Sequence, residues 1–487
     1  MLFTMHTPFL LLSQMKFIKI GIFLLCSGIL FARPWEKFLS TDTVSVEVKP
    51  LNYFELSNKI KVYYIKNTIL PKVTFQLIID GGGSEENLSN AGITSVWGSS
   101  VVFSGSKDYP RKKLSEILEL HGTEFNFTAT LERSLFSVDS LSDFFEQDLV
   151  MVADVLKNPL FDKSDVDLIK SQNLQSIKKR KENPAQMANI AAQLIHWQNN
   201  VRGNITTKKS IESINEANLK NWHQQMMDAS RFTILLTGDI DPDAMKKMLE
   251  KHFQSFKKST KGFSQENLLV SPEMEKKGMQ IIYHQIMDIP QTTILLRAPG
   301  IKHNDPDYYA VKLFDFLLGG DSFNSYLTNV IRVKNGWAYS VYSRNTSTAY
   351  TGNMAIFVQT QNKNVPNVLE EIDRVLKNPE LIISDDRLSA AKNSIKNSLV
   401  FMAETPETLA RLQLSLKWDN LPDDYLTHYL ENIQKVTSND LRRVARKYYS
   451  PESFFASIVG PKDVINDSES EKKNISKRIR KIYSLPE

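Results

Sequence analysis

The sequence predicts an α+β fold made of two homologous lobes, each a mostly antiparallel sheet packed with helices, arranged as a clamshell. The first observation is a duplication, in which identical or similar residues recur at one offset. The pairs that lie 222 positions apart are Pro184 and Pro406, Ile211 and Ile433, Ile214 and Val436, Leu219 and Leu441, and Gly238 and Gly460. A period this long indicates a duplicated domain rather than a solenoid repeat. The second observation is the composition, because 41% hydrophobic and 24% charged residues are typical of a globular protein with a full core.

Both copies run through their elements in one order. An apolar strand comes first, followed by a helix, a strand of alternating apolar residues, two longer helices and a final strand. In the first copy these elements are predicted at residues 73–79, 93–103, 134–138, 144–156, 163–180 and 232–236. In the second copy the strands are predicted at residues 292–296, 354–358 and 454–459, and the first helix at 309–318. Helices and strands mixed without strict alternation indicate an α+β sandwich.

The first 32 residues have the pattern of a secretory signal peptide. A short basic start precedes an apolar run at residues 20–32, which is 13 residues long and too short to span a bilayer as a helix. Cleavage after Ala32 would make the mature protein begin near Arg33, so we expect it to be exported, periplasmic or associated with the envelope. An uncleaved membrane anchor is the alternative, and the true start is either Met1 or Met15.

Removal of this segment changes the charge and the sulfur chemistry of the chain. It takes away Lys16, Lys19 and no acidic residue, so the net charge falls from +5 to +3, and it takes away Cys26, the only cysteine. The mature protein would then have no disulfide, no thiolate metal site and no cysteine nucleophile. A net charge this small excludes a nucleic-acid-binding class. We therefore expect no nucleic-acid partner, and membrane contact only through the signal segment.

The remaining chain divides into two lobes, a linker and a tail. We predict an N-terminal lobe at residues 43–255 and a homologous C-terminal lobe at residues 278–465. The linker at residues 256–277 is polar and charged. The tail at residues 466–487 is basic, but isoleucines recur along one face of it, which indicates a solvated terminal helix rather than a contact with membrane or RNA.

Several short motifs resemble those of one peptidase family. In the first copy they are Gly81-Gly82-Gly83-Ser84-Glu85-Glu86, Ala91-Gly92, Leu156-Lys157-Asn158-Pro159 and Gly238-Asp239. In the second copy they are Leu318-Gly319-Gly320, Ser325-Tyr326-Leu327 and Arg332-x-x-x-Gly336-x-x-Tyr339. Together with the duplication, they make the chain similar to the inverzincin peptidases, the family of insulinase, pitrilysin and the mitochondrial processing peptidase. The resemblance covers nearly all of residues 45–465.

The family binds zinc through an H-x-x-E-H motif on a helix, and this sequence lacks the motif. In the family, histidines at positions i and i+4 hold the metal, and the glutamate at i+3 activates the bound water. The resemblance places Ser95, Gly98 and Ser99 in those three slots, and a further acidic ligand falls on Gln175 or Ser176. These residue types cannot hold zinc or replace the general base. We therefore predict no catalytic residue, no metal and no other cofactor in this chain.

No substitute site is visible in the sequence. The chain has eight histidines, and no two of them lie within one helical turn. His196 and His223 have the aromatic neighbours Trp197 and Trp222, which favours packing over metal ligation. A serine triad at Ser99 or its neighbour lacks the G-x-S-x-G context of a serine nucleophile.

The second copy keeps a different part of the family site. The resemblance places Arg332 and Tyr339 where the family has an arginine and a tyrosine that contact the substrate backbone. An arginine offers several fixed donors for peptide carbonyls, and a tyrosine hydroxyl can stabilise a developing oxyanion. Gly336 between them suits a sharp turn from helix to strand. The alternative is that Arg332 caps the end of its helix and Tyr339 packs in the sheet.

A lost zinc half and a retained Arg/Tyr half favour one functional hypothesis. In the family, paired subunits can divide the site, with zinc in one subunit and the Arg/Tyr contact in the other. The chain is therefore predicted to be the non-catalytic, substrate-binding partner of a zinc-bearing homologous peptidase subunit, with a peptide as substrate. The alternative is a structural or peptide-binding envelope protein without a role in proteolysis. A stand-alone zinc peptidase would need ligands that the sequence does not contain.

Overall fold

The computed structural model describes residues 50–197, 200–258, 263–264, 268, 280–321, 324–402, 405–461 and 464. The predicted signal peptide at 1–32 and the basic tail at 466–487 lie outside the described residues, as does most of the predicted linker at 256–277. The exact lobe boundaries stay predictions. No described helix is both long and apolar enough to cross a bilayer.

Six strands and eight α-helices are described before the linker. The strands are β1 (Asn52–Glu55), β2 (Lys61–Lys66), β3 (Lys72–Asp80), β4 (Glu124–Ala129), β5 (Arg133–Leu141) and β6 (Phe232–Gly238). The helices are α1 (Ile93–Ser104), α2 (Arg111–His121), α3 (Phe145–Lys157), α4 (Lys163–Arg180), α5 (Pro184–His196), α6 (Lys208–Ser213), α7 (Glu216–Met226) and α8 (Pro242–Phe253). Strand β3 is almost entirely buried because both faces of its sheet are covered.

Five strands and six helices are described after the linker. The strands are β7 (Gln280–Ile286), β8 (Gln291–Pro299), β9 (Ala338–Ser347), β10 (Gly352–Gln361) and β11 (Phe455–Gly460). The helices are α9 (Tyr308–Asp315), α10 (Val365–Lys377), α11 (Asp385–Met402), α12 (Pro406–Trp418), α13 (Tyr425–Lys435) and α14 (Ser438–Tyr448). Between α9 and β9 lie two π-helical segments, Phe316–Gly320 and Thr328–Lys334.

The two sheets repeat one strand order. The first sheet runs β1-β2-β6-β3-β5-β4, and the second runs β7-β11-β8-β10-β9. The only parallel pairs among these described strands are β2 with β6 and β7 with β11, which occupy equivalent places. Every other neighbouring pair is antiparallel. The predicted α+β fold with two homologous lobes of mostly antiparallel sheet is therefore confirmed.

Each sheet has a front face and a back face, which pack against different helices. The front face of the first sheet carries Phe75 and Phe136, which pack with Trp97 of α1 and Leu149 of α3 in one core. Successive side chains of a strand alternate between the two faces, so Gln76 and Ile78 belong to the back face. The front face thus holds α1, the helix with the degenerate zinc slots, against the sheet.

The back faces are covered by helices that the two lobes exchange. Helix α12 packs on the first sheet, where Leu414 contacts the cluster of Ile78 and Leu235. Helix α5 packs on the second sheet, where Ala188 joins the cluster of Leu295. Each lobe therefore completes its neighbour's core as well as its own.

Helices α5 and α12 begin in the same way, which explains why Pro184 and Pro406 recur at equivalent positions. The Asn183 side chain accepts from the Gln186 N–H at 3.1 Å, and the Thr405 hydroxyl accepts from the Thr408 N–H at 3.2 Å. A proline follows at the first helical position of both, where its missing N–H costs no hydrogen bond.

The helix predicted at 309–318 differs from the observed one. Helix α9 ends at Asp315, and the chain continues as the π-helical segment Phe316–Gly320. A Cβ on Gly319 would lie 2.4 Å from the Ser343 nitrogen of β9. The glycine therefore allows the widened turn to lie directly against the strand.

Asp315, at the end of α9, makes the stability of this region depend on pH. Its Oδ2 accepts from the Asn345 N–H at 3.1 Å, while Oδ1 is buried without a hydrogen-bond partner within the described residues. Burial raises the pKa of Asp315 to about 6, compared with about 3.9 for an unfolded aspartate. The folded protein therefore retains this proton to higher pH, and its stability falls by about 2 kcal/mol as pH rises from about 4 to above 6.

We expect Asp315→Asn, which cannot ionise, to remove this fall. The free energy of unfolding of the variant relative to wild type should increase by about 2 kcal/mol between pH 4 and pH 7. Urea unfolding of both proteins across that range measures the difference. A difference that does not change with pH would contradict the assignment.

Candidate degenerate zinc site and Arg/Tyr pair

The start of α1 is fixed by a carboxylate cap. Gly92, just before the helix, has a left-handed φ of +97°, which favours glycine. The Glu86 carboxylate accepts hydrogen bonds from the N–H groups of Gly92 at 2.7 Å and Thr94 at 2.9 Å. These bonds satisfy donors that the start of a helix leaves free, and the helix dipole favours the negative charge there. The glycine-rich motif that ends in Glu86 therefore sets where α1 begins.

A buried ion pair anchors the same motif to the sheet. The Glu85 carboxylate pairs with the Arg231 guanidinium through two contacts, of 2.6 and 3.1 Å. Gly81 has a φ of +117°, and a Cβ there would lie 2.2 Å from Glu85 Oε2. The motif thus has a structural role, because it leaves room for the ion pair and holds α1 in place.

The three zinc-motif slots lie on one side of α1, as residues at i, i+3 and i+4 must. Ser95 is exposed, Ser99 is half-buried and Gly98 is buried. The downstream slot, Gln175 or Ser176, lies exposed on α4, which packs against α1. The structure thus places all five positions on two contacting helices, but their hydroxyl and amide groups do not suit zinc. The described part of the chain contains no group of three His, Cys, Asp or Glu side chains arranged to hold a metal ion.

The space beside Gly98 is filled by the ring of Phe127 from β4. A Cβ built on Gly98 would lie 2.1 to 2.3 Å from three atoms of that ring. The ring is itself held between Trp97, edge-on with 5.5 Å between ring centroids, and Phe136 at 4.8 Å. The resemblance places the general base at Gly98, and in this structure the space where a side chain of that residue would begin holds an aromatic ring.

The two histidines singled out from the sequence are both buried and neutral at physiological pH. His223 accepts a hydrogen bond at Nδ1 from Trp97 Nε1 at 3.2 Å, and burial lowers its pKa to about 4. Its partner is thus Trp97 on α1 rather than the adjacent Trp222. His196 lies edge-on to Trp197 at 4.8 Å, and burial lowers its pKa to about 3. Both side chains take part in packing.

Arg332 and Tyr339 come together at the outer strand of the second sheet. Arg332 lies in the π-helical segment Thr328–Lys334, and Tyr339 lies near the start of β9. The guanidinium carbon is 5.9 Å from the centre of the Tyr339 ring. Both side chains are exposed, Tyr339 to 78%. Tyr339 therefore does not pack within the sheet, and both polar groups face solvent.

Gly336 makes the turn that joins this pair. Its φ is +61°, and a Cβ there would meet nothing within 4 Å, so the left-handed backbone alone favours glycine. The Gly336 N–H donates to the Arg332 carbonyl at 3.1 Å, and the Trp337 N–H donates to the Ile331 carbonyl at 2.9 Å. This is the hydrogen-bonding pattern of a glycine-terminated helix.

A network behind the pair, not anticipated from the sequence, fixes the segment that carries Arg332. The Tyr326 hydroxyl donates to Glu371 Oε1 at 2.8 Å and accepts from Arg374 Nη2 at 2.7 Å. Burial and the hydrogen bond to Glu371 raise the pKa of Tyr326 to about 12. The buried hydroxyl therefore remains protonated and ties the helical turn just before the π-helical segment to α10.

Two protein-family models match the chain. The family model described as "Insulinase (Peptidase family M16)" matches residues 61–209, and the one described as "Peptidase M16 inactive domain" matches residues 213–395. A Helicobacter pylori protein named "Non-peptidase homolog YmxG" is 24% identical over 88% of this chain and 99% of its own length. The mitochondrial-processing peptidase subunit beta of Lentinula edodes is 22% identical over 85% of this chain and 90% of its own length.

Solved structures share the fold. A peptidase M16 inactive domain from Pseudomonas fluorescens superposes with a TM-score of 0.72 at 24% identity, over 85% of this chain and 98% of that one. The periplasmic protease PqqL from Escherichia coli superposes with a TM-score of 0.70 at 15% identity, over 86% of this chain and 46% of that one. The two-lobe architecture is therefore common to proteins named as proteases and to proteins named as inactive.

Proposed function

Because this chain belongs to the insulinase family of peptidases, M16, as an inactive homologue, we propose that it is the non-catalytic, substrate-binding subunit of a zinc metallopeptidase complex. One contrast supports the proposal. Phe127 occupies the place of the general base beside Gly98, whereas Arg332 and Tyr339 lie together and exposed. One half of the family site is closed, and the other remains accessible to a peptide.

The exposed pair has the chemistry that such a role requires. The Arg332 guanidinium can donate two hydrogen bonds in one plane, which suits the carbonyl oxygens of an extended peptide. The Tyr339 hydroxyl can donate to an oxygen that becomes negative as the peptide bond is attacked. The hydrogen bonds of Tyr326 anchor the chain two residues before the segment that carries Arg332, and a preorganised donor is what transition-state stabilisation requires.

The implied partner is a homologous subunit that carries an intact H-x-x-E-H helix. The zinc and the attacking water would belong to that subunit, and this chain would contribute binding and orientation of the peptide. The relative named as a subunit of the mitochondrial processing peptidase supports an assembly of this kind. The test is to purify both chains and to measure peptide cleavage by each alone and by the mixture. Activity that does not increase when this chain is added would contradict the proposal.

The purified mature chain is expected to bind no stoichiometric zinc and to cleave no peptide by itself. The reason is the residue set at Ser95, Gly98, Ser99 and the Gln175/Ser176 slot, which lacks the imidazole and carboxylate ligands that zinc requires. Elemental analysis after mild chelation measures the metal content. About one zinc ion retained per chain would refute the prediction.

We place this activity in the cell envelope, because of the predicted signal peptide at residues 1–32. The periplasmic origin of PqqL, which shares the fold, supports this location. The mature protein is expected to begin near Arg33. N-terminal sequencing of protein from the envelope fraction measures the start, and cytosolic protein with an intact Met1 or Met15 would contradict export.

A further inference from the structure

A cavity of about 550 Å³ lies between the back face of the first sheet and helix α12. It occurs where α12 leaves part of β4 and β5 uncovered. The walls are largely apolar and are formed by Ile78, Leu131, Leu135, Leu414 and Trp418. We call this space the α12 cavity. Its volume and composition are those of a small-molecule site, in which apolar walls surround a few polar groups.

Two polar side chains that line the α12 cavity, Gln76 and Arg411, have hydrogen-bond donors that are not used within the described residues. Gln76 is only 5% exposed overall, and its side-chain amide, which makes no hydrogen bond within the described residues, belongs to the lining of this cavity. Arg411 is exposed on α12 and makes no contact ion pair or hydrogen bond in the described part of the chain, although it lies near enough to Asp139 to help lower the pKa of that carboxyl. Both groups line the cavity and can donate hydrogen bonds, so they suit a ligand that accepts hydrogen bonds.

At the equivalent interface of the second lobe, between the second sheet and α5, an arginine has a hydrogen-bond partner. Equivalent positions in the two sheets can be found from the final strands, which end at Gly238 and Gly460. Ile78 pairs with Thr233, five residues before Gly238. Arg297 pairs with Phe455, five residues before Gly460. Arg297 is therefore the counterpart of Ile78. In the second lobe, Arg297 Nη2 donates to Asn189 Oδ1 of α5 at 3.4 Å.

At the equivalent helix position, α5 has an asparagine and α12 has an arginine. Asn189 lies five residues after Pro184, and Arg411 lies five residues after Pro406. In the second lobe the sheet supplies the arginine and the helix supplies its acceptor. In the first lobe the helix supplies the arginine, but Ile78 offers no acceptor. Arg411 thus lacks the internal partner that its counterpart position would provide.

The other charged groups at the α12 cavity are already paired. Arg133 stacks on Trp418, with its guanidinium carbon 4.1 Å from the ring centre, and its Nε lies 3.3 Å from Asp80 Oδ1. Glu132 pairs with Arg202 at 3.0 Å. Arg411 is therefore the cation of the cavity lining that makes no contact ion pair within the described residues, since nearby Asp139 pairs with Lys72 at 2.8 Å.

We propose that the α12 cavity binds an amphipathic monoanion, a linear acyl chain that ends in one carboxylate. The carboxylate would accept hydrogen bonds from Arg411 and Gln76, because both line the cavity and neither side chain donates a hydrogen bond within the described residues. The acyl chain would lie along Ile78, Leu135 and Leu414 and against Trp418. This site is on the back face of the first sheet, whereas Phe127 and the zinc slots of α1 are on the front face. The proposal therefore does not depend on the proposed function.

The probe for this site is dodecanoate, compared with dodecanol, which has the same chain without the charge. Titration calorimetry on the full mature protein is expected to show saturable 1:1 binding of dodecanoate. Dodecanol should bind at least about tenfold more weakly, since it lacks the charge-assisted hydrogen bonds. Quenching by a brominated dodecanoate should disappear in Trp418→Phe if the chain lies against that ring.

Two variants separate the head group from the cavity. Arg411→Asn, which introduces the residue of the second lobe, should weaken dodecanoate at least about tenfold and leave dodecanol unchanged. Thr128→Trp, at an exposed position that lines the α12 cavity, should abolish binding of both. Arg446→Asn, an exposed arginine on α14, is the matched control and should change neither. Absence of saturable dodecanoate binding, or binding that neither Arg411→Asn nor Thr128→Trp changes in folded protein, would overturn the proposal.

Discussion

A complex reconstituted with Arg332→Ala is expected to cleave its peptide roughly 10²–10³-fold more slowly than the wild-type complex, the effect of removing one donor aimed at the transition state. Tyr339→Phe removes a single hydroxyl and should act in the same direction. Both side chains are exposed, so each substitution should change the free energy of unfolding of the isolated chain by no more than about 0.5–1.5 kcal/mol. Initial rates of the complexes and unfolding of the free chains are the measurements.

Neighbouring residues provide matched controls for this pair. Lys334→Ala removes an exposed cation from the same π-helical segment, and Tyr342→Phe removes a hydroxyl from the same strand. Neither control should reduce the rate, because the proposal assigns the peptide contact only to Arg332 and Tyr339. If Arg332→Ala and Tyr339→Phe fold, assemble and leave activity unchanged, the assignment is wrong. The structural or peptide-binding module would then be the better hypothesis.

Gly98→Ala is expected to destabilise the protein by about 1–3 kcal/mol, because the added methyl group would overlap the Phe127 ring. In an open helix the same change would stabilise by up to about 1 kcal/mol, since alanine is the better helix former. The sign of the effect therefore reports whether the ring fills the space beside Gly98. Urea unfolding of the two proteins measures it.

Shortening Phe127 should reverse that sign. In a Phe127→Ala background, Gly98→Ala is expected to stabilise by about 0.5–1 kcal/mol, because the helix preference then acts without the clash. Phe127→Leu serves the same purpose if the alanine variant is too unstable to measure. Ser99→Ala, half-buried on the same helix, is the control and should not depend on Phe127. An effect of Gly98→Ala that is the same in both backgrounds would show that the ring does not close the site.

The sequence predicted the fold class because its signals were local or repeated. Val155 to Pro159 recurs as Val375 to Pro379, and strands such as β5 alternate between buried and half-buried residues over their predicted length. The absence of the H-x-x-E-H motif could also be seen directly in the sequence, because the motif is defined by residue types at a fixed spacing. These features need no knowledge of which segments meet in space.

Other features depend on contacts between distant segments and left no local signal. Phe127 appears in the sequence as one apolar residue of a strand, and only the packing of β4 against α1 places its ring at Gly98. The π-helical turn after Asp315 arises because Gly319 can approach β9, which a helical pattern in the sequence does not reveal. The α12 cavity likewise depends on how far α12 extends over the back face of the first sheet.

The exchange of α5 and α12 gives the chain the geometry of a domain-swapped dimer joined into one polypeptide. A single ancestral lobe that traded this helix with a second copy would have formed the same two interfaces, and gene fusion would then have made the trade permanent. The exchange of helices also has a consequence while the chain is being synthesised. The first sheet is complete once Gly238 has been made, but its apolar back face stays open until Leu414 has emerged. The newly made N-terminal half is therefore open to aggregation until the second half follows.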